Sequence, residues 1–205
     1  MIKKDGLNVE ADGVPTDAWN LTLPQMPIGV HGCFAVSDGK WVCVVGGTSE
    51  TGHTDVVQRF DIRNGSWQTA SVLAWQGRLM AGGLLDAGLV VVFGGAFCVY
   101  HPDTGSVDGP IPLQTLRPYR NAGKGVVFED CLIVVGGTWE GVDAGCFSDQ
   151  AVALNPVDGT ERPLSPMRIG RALFEAVAYG GAIYVFGGKV QGWINRFCTQ
   201  VRPGG

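Results

Sequence analysis

Short apolar runs broken by glycines and polar turns organise the chain from end to end. Four of these runs align without gaps over seven residues: WVCVVGG at 41–47, LVVVFGG at 89–95, CLIVVGG at 131–137 and AIYVFGG at 182–188. Each is a β-branched and aromatic stretch, too short for a helix and closed by a Gly-Gly pair, and reads as a buried strand. The pairs Gly46-Gly47, Gly94-Gly95, Gly136-Gly137 and Gly187-Gly188 follow one another at 48, 42 and 51 residues. Recurrence at intervals of that size marks repetition of one supersecondary unit. No apolar pattern of period 3.6 runs long enough for a helix, so the expected fold class is all-β.

Further marks recur around each pair. Tight-turn dipeptides stand just upstream (Asp38-Gly39, Ala87-Gly88, Glu129-Asp130, Gly180-Gly181) and join a preceding strand to the Gly-Gly strand as a hairpin. With Asp38-Gly39 as a two-residue turn, Cys43 lies opposite Phe34 and Cys33 opposite Val44; the two thiols then point to different faces and cannot be bridged. Basic residues precede each pair by fifteen residues (His31) or sixteen (Arg78, Arg120, Arg171). Downstream, Phe60, Tyr100 and Leu154 mark a third strand, each followed by a Gly turn five residues later. The fourth strand starts seven residues past each of them, at Trp67, Val107 and Glu161. These last strands are Pro-rich, which suits a sheet edge that need not donate every hydrogen bond.

Four strands per unit, a Gly-Gly pair closing the second and an aromatic pair downstream resemble the kelch repeat, over nearly the whole chain from Trp19 to Arg202. The first unit is most similar, with Phe60 and Trp67 in the family's Tyr and Trp slots. Val107 and Glu161 replace that Trp later, so looser outer packing is expected there. The resemblance implies a β-propeller with first strands lining the axis and fourth strands on the rim. Residues 1–205 then form a single domain of four blades, with units at about 29–75, 76–118, 119–168 and 169–202. The last unit stops without a fourth strand, while TDAWNLTLP at 17–24 looks like a fourth strand standing before the first unit. Trp19 and its neighbours are therefore expected to complete the last blade and close the ring as a monomer. Four blades are fewer than the family usually has. A larger ring, or one shared between two chains as a homo-oligomer, stays open. Gly46, Gly47, Gly94, Gly95, Gly136, Gly137, Gly187, Gly188, Trp19 and Trp67 are read as structural. The axial strands are dense in Gly and Ala, and Lys124 and Glu175, each four residues past its Arg, are expected to pair across the channel.

Composition narrows the function classes. Hydrophobic residues make up 45% and charged residues 17% of the chain, which excludes a disordered segment. Gly accounts for 32 of 205 residues, about twice the usual share of roughly 7%, with no G-X-Y period. A net charge of −4 gives no footprint for nucleic acid. No apolar run is long enough to span a bilayer, and the opening MIKKDGLNVEADG has no apolar segment of a signal peptide. A cytoplasmic setting with reduced thiols is expected for the 6 Cys, none of which forms a CxxC pair.

Candidate chemistry concentrates in the connections between second and third strands: TSETGHTD at 48–55, TWEGVDAGCFSD at 138–149 and KVQGW at 189–193. Long loops on a rigid frame are where binding sits. Trp139 and Trp193, with Trp75 between units, lie in these loops beside His53, Glu50, Glu140 and Asp143, and exposed aromatics among charges are typical interaction anchors. His31, Arg78, Arg120 and Arg171 begin the axial strands and are expected to ring the channel mouth, where Arg takes a carboxylate in bidentate fashion. A protein or peptide partner, acidic in character, fits this set. No nucleophile–base pair, Walker, GxSxG or HExxH signature occurs, and no cofactor is expected. Glu50, His53 and Asp55 are the one set conceivable as a weak metal contact. Because some kelch propellers are enzymes, the second reading is a small-molecule or sugar-binding enzyme that uses the Arg ring, Trp139 and Trp193.

Overall fold

A computed structural model describes residues 23–73, 81–116, 120–121, 123–139, 147–190, 193–194 and 198–201. Among them there is no helix, and the chain is all-β. Four antiparallel sheets succeed one another. The first holds Phe34–Ser37, Trp41–Val45, Val56–Asp61 and Ser66–Val72; the second holds Ala81–Leu85, Gly88–Phe93, Ala96–Tyr100 and Val107–Pro112. The third holds Lys124–Phe128, Cys131–Val135, Ala151–Leu154 and Glu161–Leu164. The fourth has three described strands, Glu175–Tyr179, Ala182–Phe186 and Cys198–Val201. In each sheet the spatial order is the order along the chain, and no sheet closes on itself among the described residues.

The downstream marks of the repeat fall in register. Phe60 pairs with Trp67, Tyr100 with Val107 and Leu154 with Glu161. The glycines between them close one kind of turn. Gly65 donates to the Asp61 carbonyl at 2.9 Å, Gly105 to His101 at 2.8 Å and Gly159 to Asn155 at 3.0 Å, all with φ between +64° and +77°.

The hairpins divide. Glu129-Asp130 and Gly180-Gly181 occupy the turns expected of them, between Phe128 and Cys131 and between Tyr179 and Ala182. The other two turns move by one residue, to Gly39-Lys40 and Asp86-Ala87. The reason in the first case is Asp38. Its carboxylate accepts the N–H groups of Lys40 (2.8 Å) and Trp41 (2.6 Å), which makes Asp38 the first corner and hands the left-handed position to Gly39 at φ +86°. Cys43 consequently faces Val36 rather than Phe34. The Cys33, Cys43 and Cys131 thiols are free.

Apolar side chains fill the spaces between consecutive sheets. Trp41, Cys43 and Val45 pack on Leu89, Val91 and Phe93; Val90 and Val92 pack on Leu132 and Val134; Ile133 and Val135 pack on Ile183 and Val185. The first strands of neighbouring sheets lie side by side. They touch closely enough that a Cβ on Gly125 would stand 2.5 Å from the Gly82 carbonyl oxygen, and one on Gly82 would enter the Phe34 ring. Glycine is required there by backbone contact. The fourth sheet exposes Val177, Tyr179 and Phe186 on its far face. Residues 17–22, the expected closing segment with Trp19, lie outside the described residues; Leu23, which follows them, is exposed.

Candidate functional site

Three of the four Gly-Gly pairs are followed by a small ribbon at the same end of the sheets. Thr48–Ser49 pairs with Gly52–His53 in the first unit and Lys189–Val190 with Trp193–Ile194 in the fourth. In the third unit Thr138–Trp139 pairs with Arg120–Asn121. All eight glycines have φ between +49° and +103°, a region that side chains resist. At the second unit Gly94-Gly95 is itself the turn, joining Phe93 to Ala96 with both φ values positive as a two-residue type I′ hairpin needs. Three ribbons therefore flank a bare position.

His31 does not share one position around this end with Arg120 and Arg171. His31 bridges Thr48, while the residues that meet the corresponding positions, Thr138 and Lys189, are Asn121 and Ala172. Arg120 and Arg171 stand one residue earlier, where the first unit has Val30. The His31 side chain is exposed. Arg171 is fully buried, with Nη1 donating to the Gly187 carbonyl at 3.1 Å and its own carbonyl accepting Gly137 N–H at 2.9 Å. It ties the third unit to the fourth and offers no guanidinium to the surface. A burial this deep is what repeated Arg looks like when it serves loop carbonyls. Trp75, Arg78, Glu140 and Asp143 lie outside the described residues; for Arg120, Trp139 and Trp193 the strand positions above are what is described. His53 is exposed and meets the Thr48 hydroxyl at 3.0 Å. Glu50, His53 and Asp55 are not gathered into a metal site, and among the described residues no His, Cys, Asp and Glu cluster could hold an ion.

The outer strands hold the incoming connections. Trp67 packs its ring 5.2 Å from Phe60 and donates from Nε1 to the Pro24 carbonyl at 3.0 Å. Buried Gln58 reads both backbone groups of Ile28, accepting at 2.7 Å and donating at 2.9 Å. In the third sheet the slot of Trp67 belongs to Glu161. Its carboxylate accepts three successive N–H groups, of Gln114, Thr115 and Leu116, the last two at 2.9 Å. Looser packing was the expectation from the missing Trp; the carboxylate instead fastens the same kind of connection by charge-assisted hydrogen bonds. Val107, the other replacement, is half-buried against the apolar contact between the first and second sheets.

Where the first strands of all four sheets converge there is a cavity of about 320 Å³, lined among others by Phe34, Gly82, Lys124, Leu173, Phe174 and Glu175. The Lys124–Glu175 pair expected from the spacing is present, with Nζ 2.9 Å from Oε1.

The opposite end is structural. Trp41 is buried, with the Arg59 guanidinium 4.4 Å over its ring, and Arg59 also donates to the Pro102 carbonyl of the second sheet and to Gln68 Oε1. Lys40 pairs with Asp103 and holds that carboxyl below its usual range. Burial, aided by Asp38 and opposed by Arg59, pushes the Cys43 thiol up to about 11. Burial likewise raises Tyr100. Sequence reasoning passed over Arg59, Gln58 and the positive work of Glu161. Each is a polar residue whose partner comes from another unit, a relation that spacing within one unit does not carry. Compared with known proteins, the chain matches no protein-family model and no curated protein.

Proposed function

We propose that the chain is a kelch-type propeller domain of four blades that binds a protein or peptide, without catalysis, through the end bearing the ribbons. The observation that carries the reading is the placement of three ribbons around the bare Gly94-Gly95 turn, all on sheets packed rigidly at their first strands. Variable loops on a stiff base are suited to recognition. His31 and His53 are exposed there, and Trp139, Trp193 and Arg120 stand in the ribbon strands. Aromatic and cationic groups together suit a partner that offers acidic and aromatic side chains. Closure by residues 17–24 beside Cys198–Val201 completes the proposal. It is supported by the edge of the fourth sheet, where Cys198–Val201 is the last of three described strands while each of the first three sheets has a fourth.

The test is peptide-display selection on the purified chain, then titration of the enriched peptides. Trp139→Ala and Trp193→Ala should each weaken binding at least tenfold, about 1.4 kcal/mol. Thr104→Ala, exposed at the opposite end, should leave it unchanged. Buried Trp41 is unsuited as a control, because its removal would injure the core. Loss with Thr104→Ala, or none with either Trp variant, rejects this surface.

A further inference from the structure

We infer that the cavity at the convergence of the first strands is a small-molecule site for an amphipathic zwitterion, an α-amino acid with an apolar side chain. The inference goes beyond the interaction reading, because it uses neither the ribbons nor their tryptophans. At about 320 Å³ the cavity is the size of a small ligand pocket and equals the space of about ten waters. Its lining divides in two. Phe34, Leu173 and Phe174 supply apolar surface, while Lys124 and Glu175 present opposite charges 2.9 Å apart. Both charged side chains remain accessible, at 38% and 77% exposure, and an exposed ion pair opens at little cost. A ligand with a carboxylate and an ammonium on one carbon replaces each partner by an equivalent one. A ligand with a single charge would cover the other partner and leave it desolvated and unpaired, which is penalised.

Leu173 is the second, independent observation. It has φ +55°, a left-handed backbone, and the residue is 60% exposed and lines the cavity. The register of the ribbons makes Gly32 its counterpart in the first unit, and Gly32 has φ +64°. The repeat therefore imposes the left-handed conformation, and glycine meets it without strain. Leucine keeps an apolar side chain there at a cost in backbone energy and gains no burial in return. Strain held beside a cavity is a pointer to ligand contact.

The experiment is calorimetric titration and thermal melting of the full chain with L-leucine, 4-methylpentanoate and 3-methylbutylamine. L-leucine should bind saturably at one site and raise Tm, and each single-charge analogue should bind at least tenfold more weakly. Leu173→Gly should raise the Tm of the free protein and weaken L-leucine at least fivefold; Lys124→Met with Glu175→Met in one chain should abolish selection among the three compounds. No saturable binding of L-leucine up to 10 mM overturns the inference. So does equal affinity for all three compounds, or a Leu173→Gly variant that melts lower and binds unchanged. Failure here leaves the peptide titrations of the ribbon variants standing, and their failure leaves this site standing.

Discussion

The second and fourth sheets come from the same repeat and are buried to different depths. Gly88–Phe93 is buried at every residue, and Ala96–Tyr100 at all but its first. In the fourth sheet Ala182, Ile183 and Val185 are buried, but Tyr184 is half-buried and Phe186 exposed, and the adjoining first strand exposes Glu175, Val177 and Tyr179 in alternation. The second sheet has a neighbour on each face, whereas the fourth packs on the third sheet alone among the described residues. Strand and turn are therefore properties of the unit, and depth of burial is a property of what stands beside it.

The sharpest test pairs two phenylalanines. Phe97 is fully buried in the second sheet and Phe186 is 47% exposed in the fourth. Phe97→Ala should cost about 3–5 kcal/mol, the usual range for a core Phe. Phe186→Ala should cost less than about 1 kcal/mol, as surface changes do. Urea denaturation of both variants measures the difference, and equal losses would erase the distinction between the two sheets.

Removing residues 1–22 asks what borders the last edge of the fourth sheet. With the closing strand of the proposal in place, truncation withdraws Trp19 and Leu21 from apolar contact and should cost about 2–4 kcal/mol by area alone. It should also bare the edge of Cys198–Val201 to self-association in size-exclusion chromatography. A truncated chain that melts unchanged and elutes as a monomer would remove closure from the account.

The connection between the second and third sheets offers a smaller effect. Glu161→Gln keeps the shape and loses the charge that three N–H groups share, for about 1–2 kcal/mol. Trp67→Phe in the first sheet loses one neutral hydrogen bond, to Pro24, for about 1 kcal/mol. A larger loss at Trp67 than at Glu161 would mean that ring packing, and not the grip on the incoming segment, is what that slot provides.

How far the sequence carried follows from the same contrast. Pairings set within one unit were legible, such as Phe60 with Trp67 and Leu154 with Glu161, because strand and turn lengths are local. The Lys124–Glu175 pair was legible too, since equal spacing puts equal positions at one level. The Gly-Gly alignment misled by one residue in the second unit. There Val92 faces the next sheet and Phe93 the previous one, while in the first unit Val45 faces the next. The pair had become the hairpin turn itself, so the strand before it gained a residue and every side chain changed face. His31 and Arg171 likewise differ by one position in the ladder, and Arg171 is buried, so these two do not share one ring position. Glu161 shows in the sequence only as a missing Trp, since its partners lie forty-odd residues away and no spacing within the unit reaches them.

Alkaline titration examines the apolar contact between the first and second sheets. Cys43 is raised from 9.0 to about 11 by burial, so between these values the unfolded thiol ionises while the folded one keeps its proton. The native state then binds more protons, and stability must fall as pH rises from 9 to 11. Cys43→Ala should lose this component, together with the part of the Tyr100 shift that Cys43 causes, read as the difference between wild-type and variant denaturation midpoints across the window. A constant difference would show that Cys43 is less buried against Leu89 and Val91 than the packing implies.

The smallest effect is the one that most directly separates a sheet face from a sheet core. Tyr179 is 77% exposed on the first strand of the fourth sheet and pairs with Ala182 across the Gly180-Gly181 turn. Tyr179→Ser removes a large apolar area that gains little from the fold as described, and the intact chain should change by less than about 0.5 kcal/mol. Made in the chain lacking residues 1–22, the same substitution should change nothing further if those residues do not touch it. If instead residues 1–22 rest partly on Tyr179, the cost in the intact chain rises above about 1 kcal/mol and vanishes after truncation, a coupling that a double-mutant cycle isolates. A flat cycle with a small loss keeps the fourth sheet as the shallow member of the pair; a coupled one transfers its far face to the buried class and makes it the counterpart of the second.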